Sequence, residues 1–123
     1  MTRIRIKWPK GELTAALADT PTAQAVAAAL PATSRASTWG EEVYFSLPVR
    51  VAKEPDAQQV VAPGTVCFWV EGAALALPYG PTPVSQGGEC RLVTTVNVLG
   101  RIEGDPRALA GVRDGDAIEV ALI

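Results

Sequence analysis

The residues best placed to do chemistry lie in a proline-rich loop, residues 78–85, with the sequence Pro-Tyr-Gly-Pro-Thr-Pro-Val-Ser. Its hydroxyl groups can hydrogen-bond a ligand, and its prolines fix much of the backbone. A stiff loop loses little ordering entropy on binding, so it suits a preorganised ligand site. The alternative is that the prolines only prevent a hydrophobic edge from pairing with other chains. We predict that a small molecule or an extended peptide binds here, in contact with Tyr79, Pro81, Thr82, Pro83 and Ser85.

Further residues are secondary candidates for the same site. Trp39 and Tyr44 flank the sequence Gly-Glu-Glu and could stack on a ligand, although core packing is the commoner outcome for such residues. Asn97 interrupts an apolar strand, so if it is buried it needs partners, either as a structural clamp for the loop or as a ligand contact. Arg101 could support either role. Trp69 lies in an apolar strand and is predicted to belong to the core.

The absence of histidine excludes several kinds of catalysis. Ser-His-Asp and Cys-His nucleophiles, and metal sites with histidine ligands, all need an imidazole. Cys67 and Cys90 are too few for a four-thiolate zinc site and are not spaced as Cys-x-x-Cys. Phosphate-binding glycine motifs are absent as well. Glu41 and Glu42 are adjacent, so on a strand they face opposite sides and do not form a carboxylate dyad. We therefore predict no metal and no cofactor.

The composition is that of one globular domain, residues 1–123. With 48% hydrophobic and 20% charged residues, a chain of 123 residues can bury one core and has no room for a second domain. The formal net charge of −2 gives no electrostatic footprint for nucleic acid or for an anionic membrane. No apolar run approaches the ~20 residues of a membrane span, and no signal peptide is recognisable. We expect a cytoplasmic protein whose two cysteines are reduced and buried.

The elements that would position these residues are mostly strands, because apolar and polar residues alternate along most segments. One helix is predicted between Pro21 and Pro31, with Thr20 as its N-cap, and a short helical turn is predicted over Arg107–Ala110 after Asp105. The predicted strands cover residues 3–8, 12–18, 42–47, 49–52, 65–70, 73–78, 90–98, 100–103 and 116–122. This pattern predicts a mainly β fold, a closed or nearly closed antiparallel barrel.

Three parts of the chain are specific enough to suggest a family. They are Gly40–Phe45, Trp69–Gly72 continued through Tyr79–Ser85, and Val96–Ile102 followed by Gly-Asp. Together they resemble a family of small prokaryotic proteins of unknown function with a cyclophilin-like fold. The resemblance implies a cyclophilin-like closed antiparallel β-barrel with one main helix and a short C-terminal helical turn. It implies no catalytic residue, since the chain lacks the histidine of true cyclophilins and no segment matches their arginine motif.

Three functions stay open at this point. The first is a binding module for a small molecule or an extended peptide at the proline-rich loop. The second is an enzyme without histidine, either a residual peptidyl-prolyl isomerase or another activity. The third is a structural subunit or a homo-oligomer. A pocket with convergent polar groups favours the first, a groove where arginine faces aromatic rings favours the second, and a broad apolar patch favours the third.

Overall fold

The structure, a computed structural model, describes residues 2–123. Its strands are β1 (Thr2–Trp8), β2 (Gly11–Leu17), β3 (Ala32–Arg35), β4 (Ser37–Thr38), β5 (Glu42–Ser46), β6 (Gln58–Val61), β7 (Thr65–Trp69), β8 (Ala74–Pro78), β9 (Cys90–Glu103) and β10 (Ala117–Leu122). Its helical segments are α1 (Pro21–Ala28) and a 3₁₀ helix (Pro106–Gly111). The prediction of a mainly β chain is confirmed.

The strands curl into a nearly closed antiparallel barrel. Their order around the sheet is β3-β10-β1-β2-β9-β7-β8-β5-β4, and neighbouring strands pair in the antiparallel sense. The two ends of this order, β3 and β4, are consecutive in the chain and are separated only by Ala36. The last strand therefore leads back to the first, and the predicted antiparallel barrel is confirmed.

Alternate residues of each strand fill the inside of the barrel. On β1, Ile4, Ile6 and Trp8 are at most 4% exposed, whereas the basic residues between them are exposed. On β5, Val43 and Phe45 point into the same core. Because side chains alternate across a strand, the residues between these positions lie on the outer surface of the barrel. The period-2 pattern therefore separates an inner face from an outer face, as predicted.

One part of the chain covers the outer surface. β6 pairs with β9, and this pairing joins Val61 to Cys90 and Gln58 to Val96. The 14-residue strand β9 is shared, because residues 90–96 pair with β6 while the rest pairs with β7 and β2 in the barrel wall. We call β6 together with residues 90–96 the flap. A second apolar cluster joins the flap to outward-facing residues of β7 and β8; its buried members are Val61, Cys67, Ala76, Cys90, Leu92 and Val96.

Both predicted helical segments are present. α1 begins after Thr20, whose side-chain oxygen accepts a hydrogen bond from the Ala23 N–H at 3.1 Å. The 3₁₀ helix begins after Asp105, whose carboxylate accepts a hydrogen bond from the Arg107 N–H at 2.9 Å. Each segment buries apolar side chains in the main core, which for the 3₁₀ helix means Leu109. Within residues 2–123, no helix is long and apolar enough to cross a bilayer.

Three segments differ from the prediction. Residues 58–61, which were not predicted as a strand, form β6 and pair with β9. Residues 32–37, predicted as a loop, form β3 and the first residue of β4, and together with Thr38 they complete the barrel. Their sequence is mainly small and polar, so the pairing with β10 and β5 determines their conformation rather than their own pattern. Residues 49–52, predicted as a strand, are irregular. The reason is that Pro48 has no N–H for a ladder, and the Val49 N–H donates to the Leu47 carbonyl oxygen at 2.8 Å.

Candidate functional site

A cavity of about 230 Å³ lies between the flap and the outer face of the barrel wall. Its aromatic and acidic lining consists of Trp39, Glu42, Tyr44 and Trp69. Its aliphatic lining consists of Ala76, Leu92, Val93 and Val96. Tyr44 of β5 is the ladder partner of Ala76 of β8, so one row of outward-facing side chains forms the floor. We call this cavity the outer pocket.

A tight hairpin turn places Trp39 and Glu42 at one end of the outer pocket. The Trp39 N–H donates to the Glu42 carbonyl oxygen at 3.0 Å, and Gly40 and Glu41 form the turn between them. Gly40 has a φ of 59°, which glycine adopts without steric cost and which two-residue hairpin turns favour. A Cβ atom at Gly40 would lie 2.8 Å from the Thr82 Cα, so the packing also requires glycine.

The carboxyl group of Glu42 is buried without a partner. The residue is 7% exposed, and its Oε1 has no hydrogen-bond partner within residues 2–123. The ion pairs of that part of the chain do not include it. Burial raises the pKa of Glu42 from 4.5 to about 7, because surroundings of low polarity disfavour the charged form. At neutral pH this carboxyl therefore populates both protonation states.

The indole of Trp69 is the second unpartnered polar group at the outer pocket. Its Nε1 is buried and has no acceptor in the described part of the chain. The ring packs over the turn after β7, where a Cβ atom at Gly72 would lie 2.2 Å from the Trp69 Cε3. Tyr44 meets Trp69 edge-on, with ring centroids 6.2 Å apart and an interplanar angle of 87°. Trp69, predicted to belong to the core, packs against the second apolar cluster but is only partly buried, and it also lines this cavity.

Two thiols belong to the same apolar cluster as the outer pocket. Cys67 and Cys90 are at most 1% exposed and are free thiols. Burial raises the pKa of both thiols, and the nearby Glu42 carboxylate raises it further. Both groups are therefore neutral at pH 7 and lack the thiolate character that reactivity needs. Their predicted burial is confirmed.

The proline-rich loop does not line the outer pocket, but it supports the wall that carries Glu42. The Tyr79 N–H donates to the Glu41 carbonyl oxygen at 2.8 Å, and the Glu41 N–H donates to the Pro81 carbonyl oxygen at 2.9 Å. These bonds continue the β5–β8 ladder beyond the end of β8. The loop therefore fixes the backbone immediately before Glu42.

The same loop also holds the flap. The Thr82 hydroxyl donates to the Arg91 carbonyl oxygen. The Ser85 Oγ accepts hydrogen bonds from the Thr82 N–H at 2.8 Å and from the Arg91 N–H at 3.1 Å. Arg91 directly precedes the pocket residue Leu92. The proline-rich loop therefore ties the two walls of the outer pocket to each other.

The remaining side chains of the loop point away from the pocket or into solvent. Tyr79 is 8% exposed and packs in the main core, with the Arg107 guanidinium carbon 5.8 Å from its ring centroid. Burial raises the pKa of Tyr79, and the neighbouring Glu41 carboxylate adds to this effect, so the phenol stays protonated. Pro81 and Pro83 are exposed.

Asn97 is a satisfied structural residue. It is fully buried, and its side-chain oxygen accepts a hydrogen bond from the Glu54 N–H at 2.8 Å. Its amide nitrogen donates to the Thr22 hydroxyl at 2.9 Å and to the Ala52 carbonyl oxygen at 3.0 Å. It therefore clamps β9 to α1 and to residues 52–54, and not to the proline-rich loop.

Among the predicted contact residues, the structure brings Trp39 and Tyr44 together at the outer pocket. Arg101 is exposed, and its Nη2 donates to the Pro63 carbonyl oxygen at 3.1 Å. Glu42 and Trp69 were missed as candidates. Strand alternation places Glu42 on the same side as Tyr44, and this was the available signal. The alternation of residues gave no indication that the flap covers the side of β5 on which Glu42 and Tyr44 lie.

The barrel defines the class of this protein as cyclophilin-like. The family model described as "Cyclophilin-like" matches residues 2–121, so the chain belongs to this family. A similar solved structure is the solution structure of the hypothetical protein AF2241 from Archaeoglobus fulgidus. It has a TM-score of 0.85 and 38% sequence identity, over 99% of this chain and 95% of that chain. No curated protein matches the chain. The resemblance inferred from the sequence is confirmed.

Proposed function

We propose that this cyclophilin-like domain is a binding module for a small molecule and that the ligand occupies the outer pocket. One observation carries the proposal: a buried carboxyl oxygen of Glu42 and a buried indole N–H of Trp69 both lack partners at the same aromatic cavity. Buried polar groups in folded proteins are nearly always paired, so two orphans at one cavity need an explanation. A ligand with matching polar groups supplies it.

The energetics support a site rather than a packing defect. Each buried unsatisfied polar group costs about 1–3 kcal/mol in the unliganded protein. Replacing Glu42 by an apolar residue would remove this cost, so the carboxyl does not serve the stability of the barrel. A perturbed carboxyl in a cleft is a typical feature of functional sites.

The proline-rich loop has a supporting role in this proposal. Trp39 and Tyr44 contact the ligand, while Thr82 and Ser85 hold the flap against the opposite wall. Because the walls are tied before the ligand arrives, little ordering entropy is lost on binding. The stiffness of the loop therefore contributes to affinity without a direct contact.

A thermal-shift screen of metabolites and proline-containing peptides tests the proposal. A ligand at a hundred times its Kd stabilises the folded state by about 2.7 kcal/mol, which is easily seen as a rise in Tm. We expect at least one compound to stabilise the wild-type protein, and the shift to disappear in Trp69→Ala. Leu122→Ala, at an exposed position of β10 that does not line the cavity, is the control and should keep the shift.

Two results would overturn the proposal. One is a screen in which no compound changes the Tm of the wild-type protein. The other is a stabilising compound whose effect survives both Trp69→Ala and Glu42→Gln, because that compound binds elsewhere. A tetrapeptide prolyl-isomerisation assay on the same samples tests the alternative of a residual isomerase.

A further inference from the structure

The outer pocket carries an acidic group for which the protein supplies no counter-ion. Two arginines close to its walls, Arg91 next to Leu92 and Arg107 beside Glu41, are both engaged by other carboxylates. Arg91 Nε lies 2.6 Å from Glu89 Oε1, and Arg107 Nη2 lies 2.9 Å from Glu41 Oε2. Ionised Glu42 is therefore a negative charge without a compensating cation in the described part of the chain.

The titratable groups around Glu42 do not provide that cation either. β7 presents the Cys67 thiol and the flap presents the Cys90 thiol, and burial keeps both neutral by raising their pKa. The hairpin turn presents the acidic residue Glu41 and β5 itself presents Tyr44, so neither element offers a basic side chain. Within residues 2–123 none of these groups places a positive charge beside Glu42, so a ligand would have to supply one.

The aromatic lining favours the same kind of ligand. Trp39, Tyr44 and Trp69 line the cavity together with Glu42. The π-systems of tryptophan and tyrosine attract cations, most strongly where water is excluded, and organic ammonium groups are the ligands best suited to such surroundings. The electrostatic preference of the rings therefore agrees with that of the carboxylate.

The Trp69 indole adds a second requirement. An indole N–H is a donor only, so the ligand must offer it an acceptor. A hydrocarbon would leave both orphan groups unpaired, and an anion would be repelled by Glu42. A metal ion does not fit, because hard cations such as Ca²⁺ take about 6–8 oxygen ligands and the cavity offers a single carboxylate.

On the basis of the proposed function, we infer that the outer pocket binds a small organic ammonium ion that also carries a hydroxyl or carbonyl oxygen. The charged nitrogen lies beside Glu42 among the aromatic rings, and the oxygen accepts the hydrogen bond of the Trp69 N–H. The cavity of about 230 Å³ is smaller than the ~300–1,000 Å³ of pockets for drug-sized ligands, which agrees with a small metabolite.

The ionisation of Glu42 makes this binding depend on pH. Its pKa is raised to about 7, so the carboxylate form that attracts a cation is the minor form at pH 6 and the major form at pH 8. A ligand with a permanent positive charge should therefore bind about tenfold more tightly at pH 8 than at pH 6, since the charged fraction changes by about that factor. A neutral ligand should not show this increase.

The test uses two probes of the same shape, choline and its uncharged analogue 3,3-dimethylbutan-1-ol. Both carry a hydroxyl oxygen, and only choline carries the charge. The readout is the indole N–H resonances in two-dimensional ¹⁵N NMR spectra of the full chain, assigned with Trp→Phe variants. Trp8, buried in the main core, serves as the internal control.

We expect choline to shift the indole resonances of Trp39 and Trp69 but not that of Trp8. The shifts should reach a plateau as the choline concentration rises. The analogue should bind at least tenfold more weakly, and the choline affinity should fall about tenfold from pH 8 to pH 6. Glu42→Gln should abolish both the pH dependence and the preference for choline. Glu12→Gln, on the opposite part of the barrel and exposed, should change neither.

The outcomes separate the inference from the proposed function. If the analogue shifts Trp69 with the same affinity as choline, or if only neutral compounds from the screen do so, the pocket binds ligands and the inference about charge is wrong. If no compound shifts Trp69 or Trp39, both the inference and the proposed function fail. The wild-type pH dependence gives an answer even if Glu42→Gln does not fold.

Discussion

Two buried polar side chains, Asn97 and Glu42, have opposite surroundings in this domain. Asn97 is fully buried and makes hydrogen bonds to α1 and to residues 52–54 through both of its polar atoms. Glu42 is 7% exposed, and its Oε1 has no partner in the described part of the chain. A satisfied polar group specifies one packing arrangement, whereas an unsatisfied group costs free energy until something binds it. Burial alone therefore does not distinguish a structural residue from a residue of a candidate binding site. Whether its polar atoms have hydrogen-bond partners does distinguish them.

The largest effect is expected at the satisfied residue. Asn97→Ala removes three hydrogen bonds and leaves the Glu54 N–H and the Ala52 carbonyl oxygen without this partner. We expect the free energy of unfolding to fall by about 3 kcal/mol, from the orphaned groups and the small void together. Urea unfolding followed by circular dichroism measures this. A loss below about 1 kcal/mol would contradict a clamping role.

The next effect has the opposite sign and depends on pH. Because the pKa of Glu42 is raised to about 7 in the folded state, the folded protein binds more protons than the unfolded chain between about pH 4.5 and 7. Stability from this residue is therefore present at low pH and is lost as the pH rises through 7. Glu42→Gln should be more stable than wild type by about 3 kcal/mol at pH 8 and by less than about 1 kcal/mol at pH 5.

Urea unfolding at both pH values tests this prediction, with Glu12→Gln as the matched control. Glu12 is exposed, so its change should not alter the pH dependence of the wild-type protein. If Glu42→Gln is less stable than wild type at pH 8, the carboxyl is stabilised by its surroundings, and the contrast with Asn97 is lost.

A smaller effect is expected at the link between the walls. Thr82→Val removes the hydroxyl that donates to the Arg91 carbonyl oxygen and should cost about 1 kcal/mol. Hydrogen exchange of the flap amides should become faster, while exchange in β1 and β2 should not change. Thr33→Val, at an exposed position of β3, should stay within about 0.5 kcal/mol of wild type. Unchanged flap exchange in Thr82→Val would contradict the tie between the walls.

The smallest effect on stability is expected at Trp69. Trp69→Phe removes an N–H that has no acceptor in the described part of the chain, which is stabilising, and it also removes part of the ring packing, which is destabilising. Because the two effects oppose each other, the free energy of unfolding should change by less than about 0.5 kcal/mol. Trp8→Phe, in the closely packed main core, should cost more, about 1–2 kcal/mol. Thermal unfolding of the two variants compares them. Equal losses would mean that Trp69 is an ordinary core residue.

Local sequence patterns predict much of the barrel, but they do not predict the outer pocket. Alternation along Ile4, Ile6 and Trp8 identifies an inner face directly, and Thr20 and Asp105 mark the two helical starts. The small polar residues 32–38 give no such signal, because their conformation comes from pairing with strands remote in the sequence. Nearby residues therefore determine whether a segment forms a helix or a strand. The pairing of a strand that lacks an apolar pattern depends instead on residues far away in the sequence.

The same distinction explains why the sequence pointed to the proline-rich loop and not to the outer pocket. Tyr79 and Thr82 looked functional because their loop is unusual, but its backbone and hydroxyl bonds are used within the protein. Glu42 looked like an ordinary outward-facing acid. Its burial depends on residues 90–96 folding over a strand about fifty positions earlier in the chain, and no short-range pattern contains that information.

β9 belongs both to the flap and to the barrel wall, and this determines the route by which a ligand can enter and leave the outer pocket. A mobile lid swings on a hinge, but here residues 90–96 continue without interruption into the wall strand that pairs with β7 and β2. The easier part to release is β6, four residues long and paired only with β9 in the described part of the chain. Ligand exchange should therefore follow fraying of β6, on the microsecond-to-second scale of local unfolding. Residence time would then be tuned by residues 58–61, which lie outside the cavity lining.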